Sequence, residues 1–318
     1  MTSENESVNN AGPVLLCPGQ GAQAVGMGSA WAETSPIARE LFDRADDVLG
    51  DQLGRPLSKL CADGPAEILN KTDAAQPALF VAGAASLAAL ADELGALGCA
   101  AGLSLGEYTA LYAAGAVGFE DGLRLVALRG RAMQDAAESE PSGMVALIGA
   151  DEAQARELCE KAANGRVLVP ANFNAPGQIV VSGHGDACER AVTIAGEMGL
   201  RATPLAVAGA FHSPLMQPAA DRLSEALAST EIKTPQCPVL SNVTGKPHEN
   251  DADSIRTRLT EQLTNPVRWA ECGRWIAEHA SGAALHELAP GKTLAGLMRR
   301  VDRSLKVVSH DAPASAGA

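Results

Sequence analysis

The sequence predicts an α/β protein: a larger domain on a central, mainly parallel sheet, with a small ferredoxin-like subdomain inserted into it. Three observations carry this. Short apolar runs lead into glycine-rich loops and then into helical patterns, as at residues 13–49 and 98–114. From Ser142 to Val207 the pattern changes to β-α-β-β-α-β, which is the ferredoxin-like order. Aromatic residues make up only 3% of the chain, so Ala, Leu, Val and Gly supply the apolar bulk, which suits helices packed closely on a sheet.

Residues 1–12 are polar and acidic with no apolar signal core, and are expected to form a disordered tail. Pro13 to Pro18 reads as a buried strand through Val14, Leu15, Leu16 and Cys17, running into the loop Gly19-Gln20-Gly21-Ala22-Gln23. Helical patterns follow at 35–49 and 76–94. A small-residue strand near 98–101 leads to Gly102-Leu103-Ser104-Leu105-Gly106 and a helical run from Glu107 to Ala114. The next helix starts after Phe119, with Asp121 near its N-terminus, and reaches about Ala137. Within the insert, 142–207, strands are expected at 143–149, 167–171, 178–182 and 201–207, with helices at 151–163 and 185–198. The chain then returns through helix 214–229, strand 238–241, helices 251–264 and 269–279, a strand near 284–288 and a basic helix at Thr293–Arg303. The larger domain is therefore discontinuous, 13–141 and 208–310, and residues 311–318, rich in Ala and Pro, are expected to form a second disordered tail.

Charge narrows the partners. Lys plus Arg is 25 against 38 Asp plus Glu, a formal net charge of −13, which disfavours nonspecific binding to nucleic acid or an anionic membrane. The seven cysteines are scattered with no C-x-x-C pair, which argues for reduced thiols in a cytoplasmic compartment and against a disulfide framework or a zinc site. The most apolar stretch, Pro77 to Leu90, is too short to span a bilayer.

The sharpest local feature is Gly102-Leu103-Ser104-Leu105-Gly106. A serine on a tight strand-to-helix turn exposes its hydroxyl, and N–H groups at the helix start can hold an oxyanion. An ordinary Gly/Ser turn has the same five letters. A serine nucleophile needs a base, and His212 stands where the chain leaves the insert, in a loop before the helix opened by Pro214. His248, His279, His286 and His310 lie in polar or amphipathic surroundings that suit surface or capping roles, and His184 sits in a turn of the insert. Arg129 falls inside the apolar stripe of Leu125, Val126, Met133 and Ala136, whereas Arg124 and Arg131 share a wet face. An inward arginine needs a partner: either a protein acid in a structural ion pair or a substrate carboxylate held by two hydrogen bonds. Gln20 and Gln23 either donate to a substrate oxygen or shape their loop. Asn172, Asn174 and Gln178 read as a polar turn between strands, and Lys292, Arg299, Arg300 and Arg303 as a solvated helix face or a landing place for phosphates or an acidic partner.

Taken together, these segments resemble the malonyl-CoA:acyl carrier protein transacylases, freestanding acyltransferases of fatty-acid synthesis, over about Leu15 to Lys306. Six stretches match in the family's order: Pro18–Gln23, Gly102–Tyr108, Leu128–Gln134, Asn172–Gln178, Gly209–Met216 and Gln262–Trp269. The resemblance implies an α/β-hydrolase-like larger domain and a ping-pong transfer of malonyl from malonyl-CoA to the phosphopantetheine thiol of holo acyl carrier protein. Ser104 would be the nucleophile and His212 its base, oriented by the backbone carbonyl of Gln262. The N–H groups of Gln20 and Leu105 would form the oxyanion hole. Arg129 would hold the distal carboxylate, Phe211 would favour malonyl over branched groups, and Asn172 and Asn174 would line the substrate site. No metal or other cofactor is implied, and a cytoplasmic monomer is the expectation. Leu103 stands where histidine is commoner, which implies tuning of pocket polarity, and Ala289-Pro290-Gly291 replaces the commoner Gly-Pro-Gly.

Two other classes fit parts of the pattern. An α/β-hydrolase-type serine esterase or thioesterase also uses G-x-S-x-G, with Asp186 as its triad acid, but has no need of an inward arginine. A noncatalytic carrier-protein-binding subunit would not need Ser104 or His212, and both are present.

Overall fold

The computed structural model describes residues 12–314; residues 1–11 and 315–318, most of the two expected tails, lie outside the described residues. The first half of the larger body contains β1 (Val14–Cys17), α1 (Ser29–Thr34), α2 (Pro36–Leu49), α3 (Leu57–Asp63), α4 (Ala66–Leu69), α5 (Thr72–Leu94), β2 (Cys99–Gly102), α6 (Gly106–Ala113) and α7 (Phe119–Ser139). The insert follows as β3 (Ser142–Ile148), α8 (Glu152–Ala163), β4 (Leu168–Ala175), β5 (Gln178–His184), α9 (Gly185–Glu197) and β6 (Arg201–Pro204). The chain closes with α10 (Gln217–Ser229), β7 (Val239–Leu240), α11 (Ala252–Glu261), α12 (Trp269–His279), β8 (Leu285–Glu287), α13 (Thr293–Val301) and β9 (Val307–Ser309).

The main sheet runs β7-β2-β1-β8-β9 with every pairing parallel. Its central strands are buried throughout, as expected when helices cover both faces. Side chains alternate between two cores: Leu15, Cys17 and Ala100 join the cluster with α2, α5 and α7, while Val14, Leu16, Cys99 and Ala101 join the one with α12 and α13. The second sheet, β4-β5-β3-β6, is antiparallel and carries α8 and α9 on a third core through Val145, Leu147, Val181, Leu158 and Ala191. This is the ferredoxin-like arrangement that the residue pattern predicts.

Helix starts follow local chemistry. Ser35 accepts from the Ala38 N–H ahead of Pro36, Asp151 and Gln154 form a reciprocal capping box, and Asp251 accepts from Ser254 at 2.7 Å. The short helices α1, α3 and α4 and the edge strand β9 escape the sequence pattern, because three to seven residues are too few to show a period. The helix expected at 76–94 begins at Thr72, so α5 is 23 residues and long enough to cross a membrane, contrary to the reading of Pro77–Leu90 as too short. It packs instead against α2, α6 and α7, with 78% of its most apolar window buried. Its uniform hydrophobicity reflects burial on all sides. The strand expected at 201–207 stops at Pro204, which has no N–H for the ladder, and the helix expected at 251–264 ends at Glu261. The tail expected from residue 311 begins with an anchored residue, since Asp311 accepts from the Gly291 N–H at 2.6 Å.

Candidate active site

The site lies at the carboxyl ends of β1 and β2, where the strand order turns from β2 on one side of β1 to β8 on the other, the usual ligand crevice of an open parallel sheet. β1 delivers the loop 19–23 and β2 delivers the 102–106 turn. The two glycines of that turn are required by space. A Cβ on Gly102 would fall 1.9 Å from the Gly106 carbonyl carbon, and one on Gly106 would fall 2.0 Å from the Cys17 oxygen. Ser104 itself has φ +52°, a strained left-handed conformation that lifts its side chain off the turn. Asn242, just beyond β7, holds the turn in place: its Oδ1 accepts from the Ser104 N–H at 2.5 Å and its Nδ2 donates to the Gly102 carbonyl at 2.8 Å.

The structure brings Ser104 and His212 together, with Oγ 2.8 Å from Nε2. His212, 4% exposed and also at positive φ (+55°), has its Nδ1 2.7 Å from the Gln262 carbonyl. A carbonyl can only accept, so Nδ1 carries the proton and Nε2 is left to accept from the serine hydroxyl. That carbonyl is available because α11 ends one residue earlier, leaving it without an intrahelical partner, and the negative end of the helix dipole favours a cationic imidazole there. Burial, then the nearby Arg129 charge, hold the His212 pKa down at about 4, opposed by the Gln262 carbonyl. The imidazole is therefore a free base at neutral pH.

Arg129 is 1% exposed and reaches the same point from α7. Its Nη2 donates to Ser104 Oγ at 3.0 Å and to Gln262 Oε1 at 2.9 Å, and Nη1 donates to Gln76 Oε1 at 2.6 Å. All three acceptors are neutral, so of the two partners the sequence leaves open, a structural ion pair with a protein acid is not the one formed. Among the described residues, Arg129 Nε is buried with no hydrogen-bond partner. Burial pushes the guanidinium pKa down from its ordinary value, countered by Tyr108 and Glu107. Arg124 and Arg131 are more than half exposed and pair with Glu120 and Asp135, as the helical period predicts.

A cleft of about 520 Å³ opens over Ser104 and His212, lined among others by Gln20, Leu103, Phe211, Asn172 and Asn174. The Gln20 and Gln23 side chains are committed to loop contacts with Thr72 Oγ1 (3.2 Å) and Asn70 Oδ1 (3.0 Å), which favours the loop-shaping alternative for those side chains. Among the described residues, neither the Gln20 nor the Leu105 N–H donates to a protein acceptor. Asn172 and Asn174 do not lie in a turn: β4 continues through both to Ala175, because Phe173 N–H donates to the Val267 carbonyl and ties the strand to the segment after α11. Asn174 Oδ1 is buried with no hydrogen-bond partner among the described residues.

His248 departs from the surface or capping role expected of it. It is 8% exposed, and its Nε2 donates to Glu107 Oε1 at 2.7 Å. His286 and His310 hydrogen-bond each other at 2.8 Å, with a carboxylate oxygen of Glu93 inside the same 4.8 Å cluster. Asp186, the acid an esterase would use, is on the surface with Arg166 and Arg190, away from His212. All seven cysteines are buried and free, and burial raises the pKa of each thiol. None is a competing nucleophile. Sequence reasoning missed Gln76, Asn242 and Glu107. Of these, only Glu107 carried a signal, as an acid inside an apolar helix start.

Comparison with known proteins gives the family of the chain. The acyl transferase domain family matches residues 14–312. The chain is 43% identical to the malonyl CoA-acyl carrier protein transacylase of Salmonella typhimurium, covering 96% of this chain and 97% of that protein. It superposes on the crystal structure of the malonyl-CoA:acyl carrier protein transacylase of Xanthomonas oryzae with a TM-score of 0.89 at 42% identity, over 94% of both chains. A malonyl-transacylase solved in complex with a type II polyketide acyl-carrier protein gives 0.89 at 40% identity, over 94% of this chain and 96% of that one. The chain is an acyltransferase and belongs to the malonyl-CoA:acyl carrier protein transacylase family.

Proposed function

We infer that the protein transfers malonyl from malonyl-CoA to the phosphopantetheine thiol of holo acyl carrier protein by a ping-pong route through a malonyl ester on Ser104. The observation that carries the reading is a buried guanidinium with only neutral acceptors, 3.0 Å from the hydroxyl that a histidine base also meets. Such a group is matched by an acyl chain that ends in a carboxylate.

In this reading the Ser104 hydroxyl gives its proton to His212 Nε2 as Oγ attacks the thioester carbonyl. The N–H groups of Gln20 and Leu105 receive the oxyanion, helped by the positive end of α6. His212, held by the Gln262 carbonyl, returns the proton to the departing coenzyme A thiolate. Arg129 exchanges its hydrogen bond to Ser104 Oγ for the malonyl carboxylate. His212 then takes the proton of the incoming phosphopantetheine thiol; the sulfur attacks the ester carbonyl, the C–O bond to Ser104 breaks, and His212 gives that proton to the released Ser104 oxygen. Phe211 limits the room beside the α-carbon, and Asn172 and Asn174 offer amide groups to the pantetheine arm. The reading requires no metal or redox cofactor, and it treats the chain as a cytoplasmic monomer whose thiols stay reduced.

Intact mass after mixing with malonyl-CoA alone tests this. The wild type gains one malonyl group, holo acyl carrier protein discharges it, and Ser104→Ala gains nothing. Steady release of malonate with no adduct would replace the transferase reading with a hydrolase.

A further inference from the structure

Behind the catalytic groups lies a fully buried acid that the transfer steps leave unused. Glu107, 0% exposed, is the second residue of α6, three positions after the nucleophile. Its Oε2 accepts from the Asn242 backbone N–H at 2.9 Å and from Gln262 Nε2 at 2.7 Å, and its Oε1 accepts from His248 Nε2 at 2.7 Å. Three donors converge on its two carboxylate oxygens. Gln262 is the link from this carboxylate to the reacting groups. Its amide nitrogen also reaches the Ser104 carbonyl at 3.1 Å, and its amide oxygen accepts from Arg129 Nη2 at 2.9 Å.

A side-chain amide has one donor end and one acceptor end, and its orientation decides which the guanidinium meets. Flipped, Gln262 would set its NH₂ against Arg129, donor against donor, and displace the arginine. A carboxylate behind the amide forbids that flip, because it can pair only with the NH₂ end. We propose that Glu107 is a positioning residue for substrate selection: by fixing the orientation of the Gln262 amide it presents Arg129 to the carboxylate of the acyl group. The proposal rests on the malonyl-transfer reading. It assigns to Glu107 an effect on the choice between acyl groups, which a residue that only stabilised the fold would not have.

The test uses the full chain with Glu107→Gln, Gln262→Met and the pair combined. Gln262→Met keeps the backbone carbonyl on His212 and removes the amide. Single-turnover acylation by malonyl-CoA and by acetyl-CoA is read by intact mass, with thermal melts as a folding control. Each single change should lower the malonyl-to-acetyl ratio at least tenfold, and the double variant should fall no further than the worse single, since both break one link. A folded Glu107→Gln protein with the wild-type ratio, or losses that multiply in the double variant, would overturn the proposal. If Glu107→Gln does not fold, an unchanged ratio in Gln262→Met overturns it, because that amide is the only link proposed. A wild type that takes up no malonyl group removes the transferase reading and this proposal together, an outcome distinct from either failure of the ratio.

Discussion

Replacing Arg129 by alanine should change which acyl group the protein accepts far more than whether it folds around Ser104. In the free site the guanidinium spends its hydrogen bonds on three neutral oxygens at 3.0, 2.9 and 2.6 Å, and among the described residues Nε has no acceptor. A malonyl carboxylate entering the cleft takes over the Nη2 contact to Ser104 and can engage a second N–H. Charge-assisted hydrogen bonds contribute about 1.5–3 kcal/mol each, against roughly 1 kcal/mol for a neutral bond given up. Two such exchanges favour malonyl over acetyl by roughly 3 kcal/mol, or on the order of 100-fold in kcat/KM. The assay is competitive acylation from an equimolar mixture of malonyl-CoA and acetyl-CoA, quantified by intact mass. Any loss of fold lowers both adducts alike, so the ratio isolates the carboxylate contact. In Arg129→Ala the ratio should fall to within a few-fold of one. A variant that still preferred malonyl by the wild-type ratio would refute the assignment.

Three further outcomes can be measured, two at the active site and one at α13. With the His212 pKa near 4, acylation by malonyl-CoA should stay level from pH 8 to about pH 5 and fall as the imidazole takes a proton near pH 4, as stopped-flow rates would show. The folded pKa lies below the unfolded value of 6.5, so the stability tied to the neutral ring is whole above pH 6.5 and lost as pH falls through 4. Over that window the wild type should lose roughly 3 kcal/mol more than His212→Gln in denaturant titrations. At α13, Arg299 and Arg300 are exposed in the last turn. Charge reversal of both should raise the KM for holo acyl carrier protein several-fold and leave acylation by malonyl-CoA unchanged; unaltered transfer kinetics would remove this helix as the docking surface.

Much of the architecture was legible in the chain because it rests on local rules. Apolar runs ending in glycine marked β1 and β2, a change of rhythm at Ser142 marked the second sheet, and an arginine at i+4 from Leu125 could only point inward. The Gly102–Gly106 turn carried its own steric reason, since neither glycine has room for a Cβ. Elements shorter than two turns, such as α1, α3 and α4, had no period to detect, and the length of α5 was underestimated because its first turn, from Thr72, is polar.

Sequence alone determined the identity of the groups: a serine on a tight turn, a loop histidine, an inward arginine and an acidic surface. Only the tertiary structure decided what each of them meets. Ser104 and His212 are 108 residues apart, and Arg129 and Gln262 are 133 apart; only the packing of the two sheets with the middle of α7 and the end of α11 brings them to one point. The orienting carbonyl of Gln262 is a backbone atom, which every residue has, so no side-chain pattern could single it out. Its availability depends on where α11 stops. The partners of Glu107 illustrate the same limit: a buried carboxylate is costly unless donors converge on it, and those donors come from Asn242, His248 and Gln262, segments that are distant along the chain and meet only when it folds.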